Sequence, residues 1–281
     1  MIYSITGSQL SQAFDVEGND LSTAYDVLGE IVFTKTLKVM SFNVGSWYGY
    51  ADKVPAEQAS YYHSMYDGIF EREDCDLIGI QEYYSMIGSY NMNTDMVQFF
   101  PYFYYVDRQS NPSKAGRAIG SKYQLSNTAE INFQAQQGEV RSFLTGTFQF
   151  GGKEIYLLTA HLALNRETLL AQIQELLDYL ENKEYWILTG DFNINFDGAE
   201  SQGYADLIEP FLNKGYHSAN GTDFGFIKTF VLQDGTSWRC LDNIFTSGNI
   251  TITDAYRDET KLYATLPNGI DHLPLIATLT I

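Results

Sequence analysis

Cysteine is scarce in this chain: Cys75 and Cys240 are the only two in 281 residues, so neither a disulfide framework nor a thiolate metal motif can organise the fold. Basic side chains are scarce as well. Lys and Arg total 17 against 35 Asp and Glu, a formal charge of −18, which disfavours long-range attraction to nucleic acid or to an anionic membrane. That balance does not exclude a nuclease, because bound divalent cations and a few local basic groups can reverse the potential at a site. Nowhere is there a run of about 18 apolar residues, the length a membrane helix needs. The opening Met1-Ile2-Tyr3-Ser4-Ile5-Thr6-Gly7 also lacks the basic start and apolar stretch of a secretion signal. The chain as written is expected to be soluble and without an export signal, and a removed leader would leave its compartment open.

Hydrophobic residues make up 44% of the chain, enough for a full core in one large domain or a domain with an appendage. The central stretch is Tyr185-Trp186-Ile187-Leu188-Thr189-Gly190-Asp191-Phe192-Asn193. A short apolar run bounded by glycine reads as a strand buried on both faces, since a solvent-facing strand would alternate. Gly190 is expected to let the chain turn sharply. Residues two apart in an extended segment share a face, so Asp191 and Asn193 can address one point past the strand end, holding a metal-bound water or a phosphate oxygen. The competing reading is a plain Asx-type turn after a strand.

The same pattern recurs along the chain. Leu37–Phe42 runs into Asn43, Asp76–Gln81 into Glu82, and Glu154–Ala160 into His161. Asp242 sits in Leu241-Asp242-Asn243-Ile244-Phe245, and Asp271-His272 lies between Ile270 and Leu273. Six times a group able to bind metal or transfer protons stands at a strand end, where layered α/β proteins build their sites.

Near the start, Leu10–Gly18 returns eleven residues later as Leu21–Gly29. Each copy carries an aromatic, an Asp and a Gly placed like a strand entering a tight turn, so two hairpin-like units are expected. They form either an attachment extension that contacts another protein or a β-rich lead-in. Pro55 opens a helix with apolar positions at Ala59, Tyr62, Met65, Tyr66, Ile69 and Phe70, and His63 on it reads as structural. Tyr102–Tyr105 is either a buried strand or an aromatic loop able to stack bases. Asn165 caps a helix whose stripe is Leu169, Ile173, Leu176, Leu177 and Leu180, followed by a short helix near Ser201–Asn213. The polar segment Gly215–Gly235 is expected to be loop, with His217 outside any site.

The ordered set resembles the endonuclease/exonuclease/phosphatase superfamily. Its motifs are Ser-Phe-Asn43-Val, Ile-Gln-Glu82, Thr-Ala-His161-Leu, Gly-Asp191-Phe-Asn193, Leu-Asp242-Asn-Ile-Phe and Asp271-His272-Leu-Pro-Leu. The resemblance implies an α/β fold, a four-layer sandwich of two packed mixed sheets flanked by helices. It implies an extension over residues 1–34 and a catalytic domain over residues 35–281. It also implies one or two Mg²⁺ or Mn²⁺ ions, with Glu82 as principal ligand and Asn43 and Asp271 nearby. His272 would be the general base oriented by Asp242, His161 would serve the phosphate and leaving group, and Asp191 and Asn193 would position the nucleophile. Phosphodiester hydrolysis gains from such groups, since hard cations and imidazole donors stabilise charge developing on phosphate oxygens.

Departures bear on substrate. Gly45 stands where the exonuclease III branch carries an acid, which favours the deoxyribonuclease I, sphingomyelinase or phosphatase side. Ser237–Asp242 resembles the Trp-Cys-Asp motif of inositol phosphatases with its spacing off by one. Arg117 replaces a small amide in its motif. The expectation is a deoxyribonuclease I-like endonuclease acting on nucleic acid. The alternatives are a phosphoinositide phosphatase or sphingomyelinase-like phospholipase C, and a binding module that keeps the fold without catalysis.

Overall fold

The computed structural model describes residues 22–25, 31–44, 66–87, 90–107, 116–138, 140–198, 200–231, 237–259 and 271–281. In chain order its strands begin with β1 Ser22–Tyr25, β2 Ile31–Thr34, β3 Thr36–Asn43, β4 Leu77–Gln81, β5 Met86–Ile87 and β6 Tyr90–Asn91. There follow β7 Tyr102–Val106, β8 Arg117–Ser121, β9 Ser126–Asn132, β10 Ser142–Phe150, β11 Lys153–His161 and β12 Trp186–Asp191. The last are β13 His217–Ser218, β14 Phe230–Val231, β15 Trp238–Arg239, β16 Asp242–Thr246, β17 Thr251–Arg257 and β18 Leu275–Thr280. Helices are α1 over residues 66–73, α2 Met92–Phe99, α3 Arg166–Leu180 and α4 Glu209–Leu212, the last entered through a π-helical turn, Tyr204–Ile208.

Two six-stranded sheets carry the architecture. One has the order β17-β18-β3-β4-β8-β7 and the other β13-β16-β12-β11-β10-β9. Each is mixed, with a single parallel pair: β3 with β4 in the first and β11 with β12 in the second. The parallel pairs follow from helical crossovers, and α3 supplies the second. Its N-cap is Asn165, whose side chain accepts from the Thr168 amide.

Alternation along the strands sorts the apolar residues into three layers of contact. Leu37 and Val39 of β3, Leu157 of β11, Ile187 of β12 and Ile244 of β16 fill the space between the sheets. Met40 and Phe42 point the other way, against Tyr66, Ile69 and Phe70 of α1 and Met96 of α2. Leu158, Trp186 and Leu188 face Leu169, Ile173, Leu176 and Leu180 of α3. Three apolar seams between helix, sheet, sheet and helix make the expected four-layer sandwich. β12 is buried at every position, as a strand covered on both faces must be.

The two sheets approach closely beneath the strand ends. A Cβ on Gly79 of β4 would lie 1.8 Å from Thr189 Oγ1 of β12, so only glycine fits there. Beside it the Gln81 amide donates across the gap to Thr159 Oγ1 at 2.8 Å. Arg117, fully buried, crosses from β8 to Ser142 Oγ of β10, and its guanidinium lies 3.7 Å from Glu130 Oε1. The residue that departs from its motif thus joins the two sheets.

Several local expectations are revised. Gly190 makes no turn: it pairs within β12 opposite Ala160 and Asn243, and it is needed because a Cβ would stand 2.7 Å from the Ala160 carbonyl. Tyr102–Val106 is a strand, yet an edge strand with Tyr102 and Tyr105 exposed rather than buried. The segment expected as loop after Gly215 carries β13 and β14. The second N-terminal copy contributes β1, paired antiparallel with β2. The first copy, the early turns of the Pro55 helix and His63 lie outside the described residues.

Candidate active site

At the ends of β3, β4, β11 and β12, and at the starts of β16 and β18, the chain delivers its polar residues to one place. Asn43, Asp191, His161, Asp242 and His272 are all buried, although they come from strands of both sheets. Asp191 is their hub. Its Oδ2 accepts a 2.8 Å hydrogen bond from Asn43 Nδ2 and lies 3.5 Å from both His161 Nε2 and His272 Nε2. On the far side of its ring, His272 Nδ1 meets Asp242 Oδ2 at 2.7 Å. Glu82 stands just past β4 in a left-handed backbone conformation, φ 56°, and its Oε1 is 4.0 Å from His161 Nε2. A non-glycine residue in that conformation stores strain that the surrounding sheet must hold.

Asn193 behaves differently from the extended-segment expectation. Its φ of 51° breaks the alternation. Its amide donates to Asp191 Oδ1 at 2.9 Å, an Asx-type turn, while its carboxamide donates to the Leu162 carbonyl at 2.8 Å. Asn193 therefore fixes the Asp191 carboxylate and ties the β12 turn to the residue after His161.

Carboxylates crowded out of water raise one another's proton affinity. Burial, then the charges of Asp191 and Asp271, push the Glu82 carboxyl up to about 7, against a partial offset from His272 and Asn43. Asp191 is raised too, chiefly by burial. For His272 burial works to lower the pKa, yet the charges of Asp242 and Asp191 and the Asp242 hydrogen bond outweigh it and raise the imidazole well above its usual range. Asp271 is close enough for its charge to act on both Glu82 and His272.

These properties suit a divalent cation. Asp271 Oδ1 is buried with no hydrogen-bond partner among the described residues, and the charges of Asp191 and Asp271 bear unfavourably on the Glu82 carboxylate, a crowding that a cation would relieve. Carboxylate and amide oxygens are the donors that hard cations take. A tighter group also exists: one donor atom each from Asp191, Asp242 and His272 lie within 4.8 Å of one another. This buried Asp/Asp/His cluster could hold a metal. Its His272 Nδ1 and Asp242 Oδ2, however, sit at hydrogen-bonding distance, which a cation between them would have to break.

Sequence reasoning missed Thr229. Its hydroxyl donates to Asp242 Oδ2 at 2.5 Å, and it lies 13 residues from that partner in a segment without periodicity. Arg141, just ahead of β10, is buried and donates to the His161 carbonyl at 3.4 Å. A cleft of about 460 Å³ lined by Tyr102, Lys122, Tyr123 and Glu154 opens at the opposite strand ends and contains none of these residues.

Comparison with solved structures places the same architecture in several proteins. A truncated Caenorhabditis elegans TDP2 superposes with a TM-score of 0.63 at 18% identity, covering 88% of this chain and 98% of that one. A humanized D. rerio TDP2 carrying 14 mutations gives 0.63 at 16% identity, covering 87% and 98%. An endonuclease/exonuclease/phosphatase family protein from Bacteroides thetaiotaomicron gives 0.62 at 16% identity, covering 89% and 99%. Identities this low speak for the fold alone. No curated protein sequence matches the chain. The model of one sequence family does match, across residues 40–262. With that match over most of its length, and with this sandwich and these strand-end residues, the chain belongs to the endonuclease/exonuclease/phosphatase family.

Proposed function

We propose that the protein is a divalent-metal-dependent phosphodiester hydrolase that cuts DNA in the manner of a deoxyribonuclease I-like endonuclease. The observation that carries this reading is the hub at Asp191, where one carboxylate oxygen lies within 3.5 Å of Asn43, His161 and His272. Two imidazoles that present Nε2 to the same small space can serve the two ends of one displacement.

In this reading His272 takes the proton of the attacking water at Nε2 while Asp242 holds Nδ1–H and stabilises the imidazolium. Asp191, anchored by Asn43 and by the Asn193 amide, orients that water. His161 donates to a phosphate oxygen or to the leaving group. Glu82, Asp271 and Asn43 are the residues that would hold Mg²⁺ or Mn²⁺, which when bound supplies positive charge against the phosphate oxygens. The same charge would oppose the carboxylate field that keeps His272 protonated, and so return Nε2 to its accepting form.

The test is one panel with Mg²⁺ in which supercoiled plasmid, RNA, sphingomyelin and inositol polyphosphates are offered to the wild type and to His272→Ala. Plasmid nicking that disappears in the variant and with chelator is expected. Head-group or phosphate release without nicking would replace the nuclease reading with the lipid or inositol phosphatase one. Added salt should weaken nicking steeply, since phosphate contacts release counterions.

A further inference from the structure

Thr229 is wholly buried, on the strap that leads into β14, and every polar atom it has is engaged. Its amide donates to Arg239 at 3.1 Å and its carbonyl accepts from Leu273 at 2.7 Å. Its hydroxyl oxygen accepts from the Asp242 amide at 3.4 Å and its hydroxyl proton goes to Asp242 Oδ2 at 2.5 Å. A hydroxyl whose acceptor side faces the amide of a residue aims its proton at that residue's own carboxylate, which fixes the carboxylate's direction. The oxygen so held is the one that meets His272 Nδ1, whereas Asp242 Oδ1 is buried with no hydrogen-bond partner among the described residues.

The strap itself is held from both flanks. Asn220 exchanges hydrogen bonds with Ile227 and donates to the Asp242 carbonyl at 3.1 Å. Arg257 of β17 donates to the Lys228 carbonyl and lies 4.6 Å over the Trp238 ring. On the other side of Thr229, Val231 donates to the Asp271 carbonyl at 2.8 Å and Phe230 forms a bridge with His272, its ring 4.8 Å from the imidazole. One short segment therefore grips Asp242 by side chain and Asp271–His272 by backbone.

We infer that Thr229 is a positioning residue for the proton-transfer pair: its hydroxyl holds Asp242 Oδ2 on His272 Nδ1 and so sets where Nε2 points. The inference rests on His272 being the proton acceptor proposed above. Groups that orient a catalytic ligand from behind are commonly worth about 10- to 100-fold in activity. Removal of a buried hydrogen bond to a charged group is of comparable weight.

The experiment compares Thr229→Val, which keeps the shape and loses the hydroxyl, Thr229→Ala and Thr229→Ser, with His272→Ala as reference. Each is assayed with Mg²⁺ on bis(p-nitrophenyl) phosphate, and the proton shared by His272 Nδ1 and Asp242 is followed by its downfield NMR resonance. The expected result is a kcat lower by about 10- to 100-fold in Val and Ala with KM little changed. Serine should restore kcat, and the resonance should move upfield or vanish in Val and Ala but persist in Ser. Where Val fails to fold, Ala carries the same reading. Unchanged kcat and an unmoved resonance in the hydroxyl-free variants would overturn the inference. So would a serine variant as poor as valine, since packing and not the hydroxyl would then be what matters. Should His272→Ala retain turnover, the catalytic reading fails instead, and the resonance alone decides whether Thr229 holds Asp242.

Discussion

His272 Nδ1 and Asp242 Oδ2 lie 2.7 Å apart across a 30-residue separation in sequence, with both side chains out of solvent. An acid there dictates which imidazole nitrogen carries the proton and leaves Nε2 facing Asp191. Asp242→Asn should preserve the fold by circular dichroism and reduce kcat by about 10²–10⁴, the usual weight of general acid–base help. Steady-state assay on a small phosphodiester checks this, and an undiminished kcat would remove the pair from the mechanism.

The crowding of carboxylates predicts how the chelator-treated protein responds to pH. Glu82 moves from an ordinary 4.5 to about 7 on folding, so the folded state binds the extra proton. Its contribution to stability is complete below 4.5 and is lost as pH climbs through 7. Asp191 and His272, also raised, act with the same sign. The melting temperature without metal should therefore fall over this range, and Mg²⁺ should lift it most at the alkaline end by binding only the folded site. Glu82→Gln should flatten the fall between 4.5 and 7; a slope identical to wild type would contradict the assignment.

Gly79→Ala puts a methyl where Thr189 already stands, 1.8 Å from the new Cβ. Overpacking of a closed core costs about 1–3 kcal/mol, and this contact belongs at the upper end, roughly 6–12 °C in melting temperature for a chain of this size. Thermal denaturation measures it. A variant as stable as wild type would mean the sheets can separate locally at no cost.

Cys75 and Cys240 are free and buried. Burial pushes both thiols up, Cys240 to about 12, so neither is a nucleophile at neutral pH. Ellman's reagent should find no fast-reacting thiol in the native protein and two after denaturation. Rapid native labelling would contradict the packing around them.

Much of this was legible from the chain alone because several candidate site residues follow a fully buried run: Leu77–Gln81 before Glu82, Trp186–Gly190 before Asp191. The sheet carries those residues to one end, so order in sequence translates into proximity. What was not legible depends on backbone twist or on partners with no repeat between them. Asp191-Phe192-Asn193 reads as extended, and only the left-handed φ of Asn193 turns its carboxamide to Leu162. Thr229 and Asn220 lie in a polar stretch whose value comes from hydrogen bonds to Asp242. Arg117 reads in the sequence only as a departure from its motif, and its guanidinium finds its partner, Ser142, across the gap between the sheets.

The close contact of Gly79 with Thr189 has a bearing on folding as well as on stability. Asn43, Glu82, Asp271 and His272 adjoin the first sheet, and His161, Asp191 and Asp242 the second, so neither half of the sandwich holds the cluster alone. During refolding, these residues can come together only after the two layers have closed on one another, later than the secondary structure of either. Recovery of the proposed hydrolysis would thus be a stopwatch for that last closing step.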